Sequence, residues 1–431
     1  MPIHHKIKKP ITIVEYWFIG KKTWVEYPKW SHYVNDETFT ELRNFLLDER
    51  NNSEEFFSLG YKKNYWEVII ASNYVWVIQT NNGTVIEILP KITDVVNEEN
   101  INKTRWIFLR MLKTLKDSPF KNLNDANLKN QKFPILEIFI QLFLQELSLL
   151  VKKWIKKNYI PEVDNLKYIK WRLKIRENIV TNIVDHSKFV CEYDEFSEDT
   201  KENRLIKTCL LKLQWLSLNR KNQQDINLFL HYFWEVSISK DVKSDLKIID
   251  NLSRLHTYYL PTMKWVKLFL SDKSVVNFSW STLALSLLFP MEKIFESYVS
   301  EQLKKKTDYK IDTQDSSFYL ITNQRKFKLR PDIVFNKYKD EDWRIRAEII
   351  WDTKWKKIDS NDFKWNFWIS QADMYQLFAY ANNYKCKDLY LIYPKNENFT
   401  EPLKEFVYVN GEVLKAIPYD LEKDECILIS K

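Results

Sequence analysis

Leu329-Arg330-Pro331-Asp332-Ile333-Val334-Phe335, followed after a polar interval by Arg344 to Trp355 with Asp352-Thr353-Lys354 near its end, is the stretch from which the rest of the chain is read. Strand alternation through the second segment places Glu348, Ile350, Asp352 and Lys354 on one face. The segment from Asn336 to Asp342 is polar enough to be the turn of a hairpin, which brings Asp332 beside Asp352. Two carboxylates a few ångströms apart repel unless a cation sits between them, so the pair is a natural Mg²⁺ (or Mn²⁺) site. Phosphodiester hydrolysis uses such an ion to polarise a phosphoryl oxygen and acidify a bound water. A lysine beside it orients that water and stabilises charge in the transition state. Alone, an Asp followed by Asp-x-Lys is a weak signature, because charges on an exposed edge strand give the same pattern.

The flanking sequence strengthens it. Downstream, a helix from about Ser370 to Asn383 carries Gln376 and Tyr380 four residues apart and therefore on one face. Tyr380 is also well placed to join Met374, Leu377 and Phe378 in a core. Asp388 to Tyr393 is a short apolar strand. Upstream, Leu285 to Leu303 reads as helical with a kink or fresh start at Pro290, and Phe318 to Thr322 and Lys326 to Phe335 read as strands. Helix, three strands, helix, strand is the order of a restriction-endonuclease-like α/β core. On the first helix Glu292 shares a face with Met291, Phe295 and Val299, which makes it the favoured third metal-site carboxylate over Glu296.

Three strings together, Leu329 to Val334, Asp352-Thr353-Lys354-Trp355-Lys356 and Gln371 to Ala381, resemble the McrC family, nuclease partners of GTP-driven AAA+ rings. Met291 to Glu296, Cys191 to Glu195 with Asn203-Arg204, and Ile86 to Ile92 resemble further segments of that family. The resemblance implies a PD-(D/E)xK nuclease with Asp332, Asp352, Lys354, Gln376 and Tyr380 as catalytic residues. It also implies an McrB-like AAA+ GTPase ring as partner and double-stranded DNA carrying modified cytosine as substrate. In such complexes the N-terminal part of the chain engages the ring. A catalytically idle ring regulator and a stand-alone nuclease for branched or damaged DNA are the rival readings.

The remainder suggests a multidomain α+β protein. Residues 1–100 are β-rich, with Asn81-Asn82-Gly83 joining Tyr74 to Gln79 and Thr84 to Leu89 in a hairpin. Residues 101–283 carry helical periodicity in Trp106 to Leu115, Pro134 to Lys157, Asn203 to Asn219 and Ile226 to Val236. Residues 284–431 hold the nuclease core. The acidic run from Glu192 to Thr200 reads as a solvated loop feeding a helix cap at Asp199 or Thr200.

Composition excludes several classes. With 45% hydrophobic residues the chain can bury a core without disulfides. Its four cysteines lie far apart with no CxxC pair, as expected of thiols in a reducing cytoplasm. The most apolar helix, Phe133 to Trp154, is interrupted by Glu137, Gln141, Gln145 and Glu146, which suits burial in protein rather than in a membrane. No Gly-rich phosphate loop is present, so GTP binding is left to the partner. The net charge of +8 tolerates a polyanion without demonstrating one.

One imbalance stands out. Average usage gives roughly 30 glycines in such a chain, yet there are 4, against 17 tryptophans. Trp76, Trp154 and Trp171 stand where McrC-like chains carry glycine, as expected if UGA codons read as glycine by the organism were translated as tryptophan.

Overall fold

Ile333–Phe335 pairs antiparallel with Ile349–Thr353, Ile333 opposite Trp351 and Phe335 opposite Ile349, so the hairpin expected around Asp332 and Asp352 is formed. The computed structural model in which it is seen describes residues 10–22, 31–47, 57–63, 66–92, 97–116, 118–122, 133–251, 254–271, 273–274, 276–277 and 285–426. The hairpin is the heart of a seven-stranded mixed sheet. Its order is Ile311–Thr313, Ile333–Phe335, Ile349–Thr353, Asp388–Pro394, Val413–Asp420 and Phe406–Val407, with Glu425–Cys426 also paired to Val413–Asp420. The three central strands, Ile349–Thr353, Asp388–Pro394 and Val413–Asp420, run parallel.

Parallel strands need both faces covered, and two helices contribute to that cover. Gln371–Tyr384, capped by Ser370 accepting from the Asp373 N–H at 3.1 Å, lays Leu377, Tyr380, Ala381 and Tyr384 on Ile350, Leu389, Leu391 and Leu414. Met291–Lys306 contributes Phe295, whose ring meets Trp355 and Tyr419 edge-on.

The segment from Leu285 to Leu303, expected to be helical with a kink or fresh start at Pro290, is a strand, Leu285–Pro290, followed by the helix Met291–Lys306. Proline lacks the N–H a helix interior requires and sits comfortably just outside its first turn. The strand pairs antiparallel with Tyr74–Gln79, completing a four-stranded sheet with Val85–Leu89 and Ile11–Val14. The Tyr74–Gln79 and Val85–Leu89 hairpin turns at Gly83, where φ is +80°. A second four-stranded sheet is built from Ser31–Val34, Phe18–Lys21, Trp66–Ala71 and Phe57–Lys62.

By their contacts the residues group into two compact units, one built on 133–280 and the other on 8–132 and 281–431. Three consecutive segments, 1–100, 101–283 and 284–431, were expected. The grouping differs because the N-terminal sheet takes its last strand from the far end of the chain, at Leu285–Pro290.

The unit built on 133–280 contains the helices Ile135–Lys152, Lys201–Leu216, Arg220–Tyr232 and Leu260–Leu270. It also carries a three-stranded sheet, Asn158–Leu166, Phe189–Ser197 and Arg172–Leu173, inside the stretch expected to be helical. The acidic run read as a loop lies largely in its Phe189–Ser197 strand, and Thr200 caps the helix that follows. Glu137 is buried, and its carboxylate accepts from Ser217 Oγ and Asn222 Nδ2, each at 2.8 Å. A buried acid satisfied by protein donors suits a helix packed in protein. Among the described residues no helix is long and apolar enough to cross a membrane.

Candidate active site

Asp352 is the fourth residue of its five-residue strand, and its side chain is only 2% exposed. Lys354, two residues on and past the strand's end, turns its ammonium back to within 2.8 Å of Asp352 Oδ2. Asp352 and Lys354 therefore meet on one side of the chain although the strand ends between them. Asp332 precedes the neighbouring strand and reaches across: its Oδ2 accepts from the Thr353 N–H and hydroxyl, each at 2.8 Å. Its Oδ1 accepts from Gln314 Nε2 at 3.1 Å, and the same amide donates to Glu296 Oε1 at 2.6 Å. Asp332, Asp352 and Glu296 thus border one cleft of about 420 Å³, with Lys354, Asp373 and Gln376 on its wall.

The acids are held against their own repulsion. Burial, then the neighbouring Asp332 charge, pushes Asp352 well above the usual carboxylate range. Burial and then Glu296 do the same to Asp332, and burial and Asp352 raise Glu296. For Lys354 burial works against the charge, but Asp352, Asp373 and Asp332 outweigh it and hold the ammonium protonated. Five carboxylates, Glu292, Glu296, Asp332, Asp352 and Asp373, line the cleft against three lysines, Lys293, Lys354 and Lys356, which leaves it short of positive charge.

The Lys354 ammonium also donates to Gln376 Oε1 at 3.0 Å. The Gln376 amide donates onward to the Tyr380 hydroxyl at 2.6 Å, and that hydroxyl donates to the Arg330 carbonyl at 2.9 Å. Gln376 lines the cleft, whereas Tyr380 is 2% exposed and packed in the core. Tyr380 touches Gln376 rather than the space a substrate would enter, so the core placement foreseen for it is the one seen.

Glu292 lines the same cleft but is exposed, and its carboxylate accepts from Asn73 Nδ2 at 3.2 Å. Glu296, one turn further along the same face, is the glutamate bridged to Asp332. Sequence reasoning also passed over Gln314, Asp373 and Thr353. Asp373 could have been found three residues before Gln376 on the same helix face. Gln314 carries no local signal.

Behind the lysine, Trp355 is buried and its indole N–H donates to the Glu15 carboxylate at 3.0 and 3.2 Å. Glu15 also accepts from the Lys91 N–H at 2.9 Å. The catalytic strand is thereby tied to the N-terminal sheet. Two other segments that resemble the family are structural clamps: Glu87 is buried against Arg105, and Asn203 bonds the Lys156 and Glu198 carbonyls and the Tyr259 hydroxyl.

The residues fit a hard divalent ion. Asp332, Asp352 and Glu296 supply oxygen donors, and Asp352 Oδ2 is a buried atom whose ammonium neighbour lies outside hydrogen-bond geometry. Among the described residues no three acidic, His or Cys side chains close into a ready-made metal cage. Mg²⁺ keeps several waters and takes one or two carboxylates together with substrate phosphate.

Residues 69–394, more than half of the chain, match the family model described as "McrBC 5-methylcytosine restriction system component". No curated protein sequence matches. The fold is similar to a chain of a refined half-complex from the tetradecameric assembly of Thermococcus gammatolerans McrB AAA+ hexamers with bound McrC. The TM-score is 0.66 and the identity 16%, covering 96% of this chain and 95% of that one. A cryo-EM structure of the Thermococcus gammatolerans McrBC complex is matched at TM-score 0.46 and 18% identity, over 70% of this chain and 89% of that one. From the extent of the sequence match, the chain belongs to the McrBC family of 5-methylcytosine restriction system components.

Proposed function

We propose that this chain is the McrC-type nuclease subunit of a modification-dependent restriction complex, an endodeoxyribonuclease that uses Mg²⁺ or Mn²⁺. The observation that carries the reading is the buried Asp352 paired at 2.8 Å with Lys354, beside Asp332, in a cleft with too little positive charge. Asp332 and Asp352, with Glu296 behind them, would hold the ion, which supplies polarisation of a phosphoryl oxygen and a more acidic water. Lys354 supplies fixed positive charge where negative charge grows on the phosphate in the transition state. Gln376 holds the lysine in that direction, and Tyr380 and the Arg330 carbonyl hold Gln376. Thr353 keeps one oxygen of Asp332 occupied and so aims the other toward Gln314 and Glu296.

The substrate on this reading is double-stranded DNA with modified cytosine. The partner is an McrB-like AAA+ GTPase ring, and the complex works in the cytoplasm. Docking was expected of residues 1–100. The unit built on 133–280 offers a better candidate surface, because Ile175, Ile179, Val180, Ile183 and Val184 are between 62% and 90% exposed around a short helix with no buried residue. Apolar side chains so gathered mark an interaction site, and the McrB ring of the similar half-complex is the occupant we assign to it. The test is Lys354→Ala in the assembled complex: cleavage of methylated DNA should be lost while ring binding and GTPase stimulation persist. Unchanged cleavage by this variant would overturn the assignment.

A further inference from the structure

Seventeen tryptophans against four glycines is a composition the nuclease reading leaves unexplained, and two groups, five and three of the seventeen, stand at opposite extremes of backbone and burial. Trp66, Trp154, Trp171, Trp343 and Trp368 have φ of 58°, 85°, 59°, 60° and 68°. A bulky side chain is an outlier in this left-handed region, whereas glycine enters it freely. All five are more than half exposed, from 55% at Trp368 to 85% at Trp171, so no core packing holds them there. Trp265, Trp351 and Trp355 are packed as large core side chains, with the Trp351 indole N–H left without a partner. They are 1%, 3% and 6% exposed, and none has a positive φ. Trp265 stacks on Phe269, Trp351 packs against Phe335 and Tyr390, and Trp355 bonds Glu15.

Two of the first class stand in turns whose geometry calls for glycine. Trp154 follows Lys153, the cap of helix Ile135–Lys152, and its N–H reaches the Val151 carbonyl at 3.3 Å. That is the position after the helix cap where a left-handed glycine ends many helices. Trp343 closes the turn between Tyr338–Lys339 and Ile345–Arg346: its N–H donates to the Asp340 carbonyl at 3.0 Å, and the Asp340 N–H to the Arg344 carbonyl at 2.9 Å. A hairpin with this turn and a left-handed residue after it takes glycine there. Trp66 opens the strand Trp66–Ala71, and Trp171 immediately precedes Arg172–Leu173. Trp368 donates to Asp362 at 2.7 Å on an exposed surface, where water can replace the indole. Gly83 and Gly411, at +80° and +90°, occupy the same region of backbone space.

We propose that Trp66, Trp154, Trp171, Trp343 and Trp368 are glycines in the native protein, encoded by UGA in a lineage that reads UGA as glycine. Trp265, Trp351 and Trp355 are tryptophans encoded by UGG. Trp76, grouped with the glycines from sequence, lies in an ordinary extended strand opposite Ile88 and Leu288 and falls outside the proposal. The codons at these eight positions and the masses of peptides from the native protein test it directly. UGA with glycine masses at the five and UGG with tryptophan masses at the three is the expected result. UGG codons or tryptophan masses at the five overturn it. Recombinant variants give a second, independent reading. Trp154→Gly and Trp343→Gly should each raise the melting temperature, by roughly 2–4 °C, whereas Trp265→Gly should lower it. A fall in the first two overturns the backbone argument.

Discussion

Two acidic sites beside the seven-stranded sheet behave in opposite ways. Asp315 is buried, and burial by itself would raise it. Hydrogen bonds from Lys337, Tyr384 and Ser317 outweigh that and hold its carboxyl at about 2. Asp332 and Asp352 are also buried, but they face each other and Glu296, and all three are pushed upward. A carboxylate with enough donors is finished as structure. Carboxylates gathered with too few are stabilised by whatever positive charge arrives, a proton or the ion proposed above.

The comparison is broken most sharply by substitution. Asp352→Asn or Lys354→Ala should lower cleavage by the complex about a thousandfold or more, while the melting temperature of the chain without metal stays level or rises for Asp352→Asn. Asp315→Ala should do the reverse, costing roughly 1–3 kcal/mol of stability by leaving the buried Tyr384 hydroxyl without its acceptor and Lys337 with Asp312 alone. Its folded fraction should still cut. Chemical denaturation alongside single-turnover cleavage separates the two outcomes. Equal loss of cleavage per folded molecule in both variants would erase the distinction.

A smaller effect follows from pH. An acid raised in the folded state holds its proton longer there than in the unfolded chain. Its stabilising contribution is therefore complete below the unfolded carboxylate range and is lost as pH rises through the elevated folded value. Without metal, Asp332 and Asp352 should make the chain less stable as pH rises from the ordinary carboxylate range toward neutrality, and Asp352→Asn should flatten that slope. Asp315 has the opposite sign: its contribution is present above the ordinary range and fades as pH falls toward about 2. Melting curves across pH without metal check both signs, and a wild-type slope unchanged in Asp352→Asn would refute the first.

The smallest expected effects distinguish neighbours on one helix. Glu296→Gln should reduce cleavage roughly tenfold or more, because its carboxylate meets Asp332 through Gln314, while Glu292→Gln should leave cleavage nearly unchanged. Equal effects of the two, measured at saturating metal, would return Glu292 to the site.

What was legible in the sequence was local. Asp352 and Lys354 share a face because they are two apart in extended chain, and Gln376 and Tyr380 because they are four apart on a helix. What was not legible depends on distant parts of the chain. Glu292 and Glu296 lie one turn apart on the same face, and only the helix's seat on the sheet determines which reaches Asp332. Gln314 enters from the end of a strand whose partner, Ile333–Phe335, follows about twenty residues later. Leu285 to Pro290 is an apolar run without a distinguishing period, and it becomes a strand because Tyr74–Gln79, some two hundred residues earlier, offers an edge.

The central claim is that the Asp332 and Asp352 cluster is a divalent-metal site and the Asp315 cluster is not. Calorimetric titration of Mn²⁺ into the folded chain tests this most directly, with the wild type, Asp352→Asn and Asp315→Asn compared at neutral pH. Binding should be present in the wild type, lost in Asp352→Asn and retained in Asp315→Asn; binding by Asp352→Asn equal to that of the wild type would contradict the account.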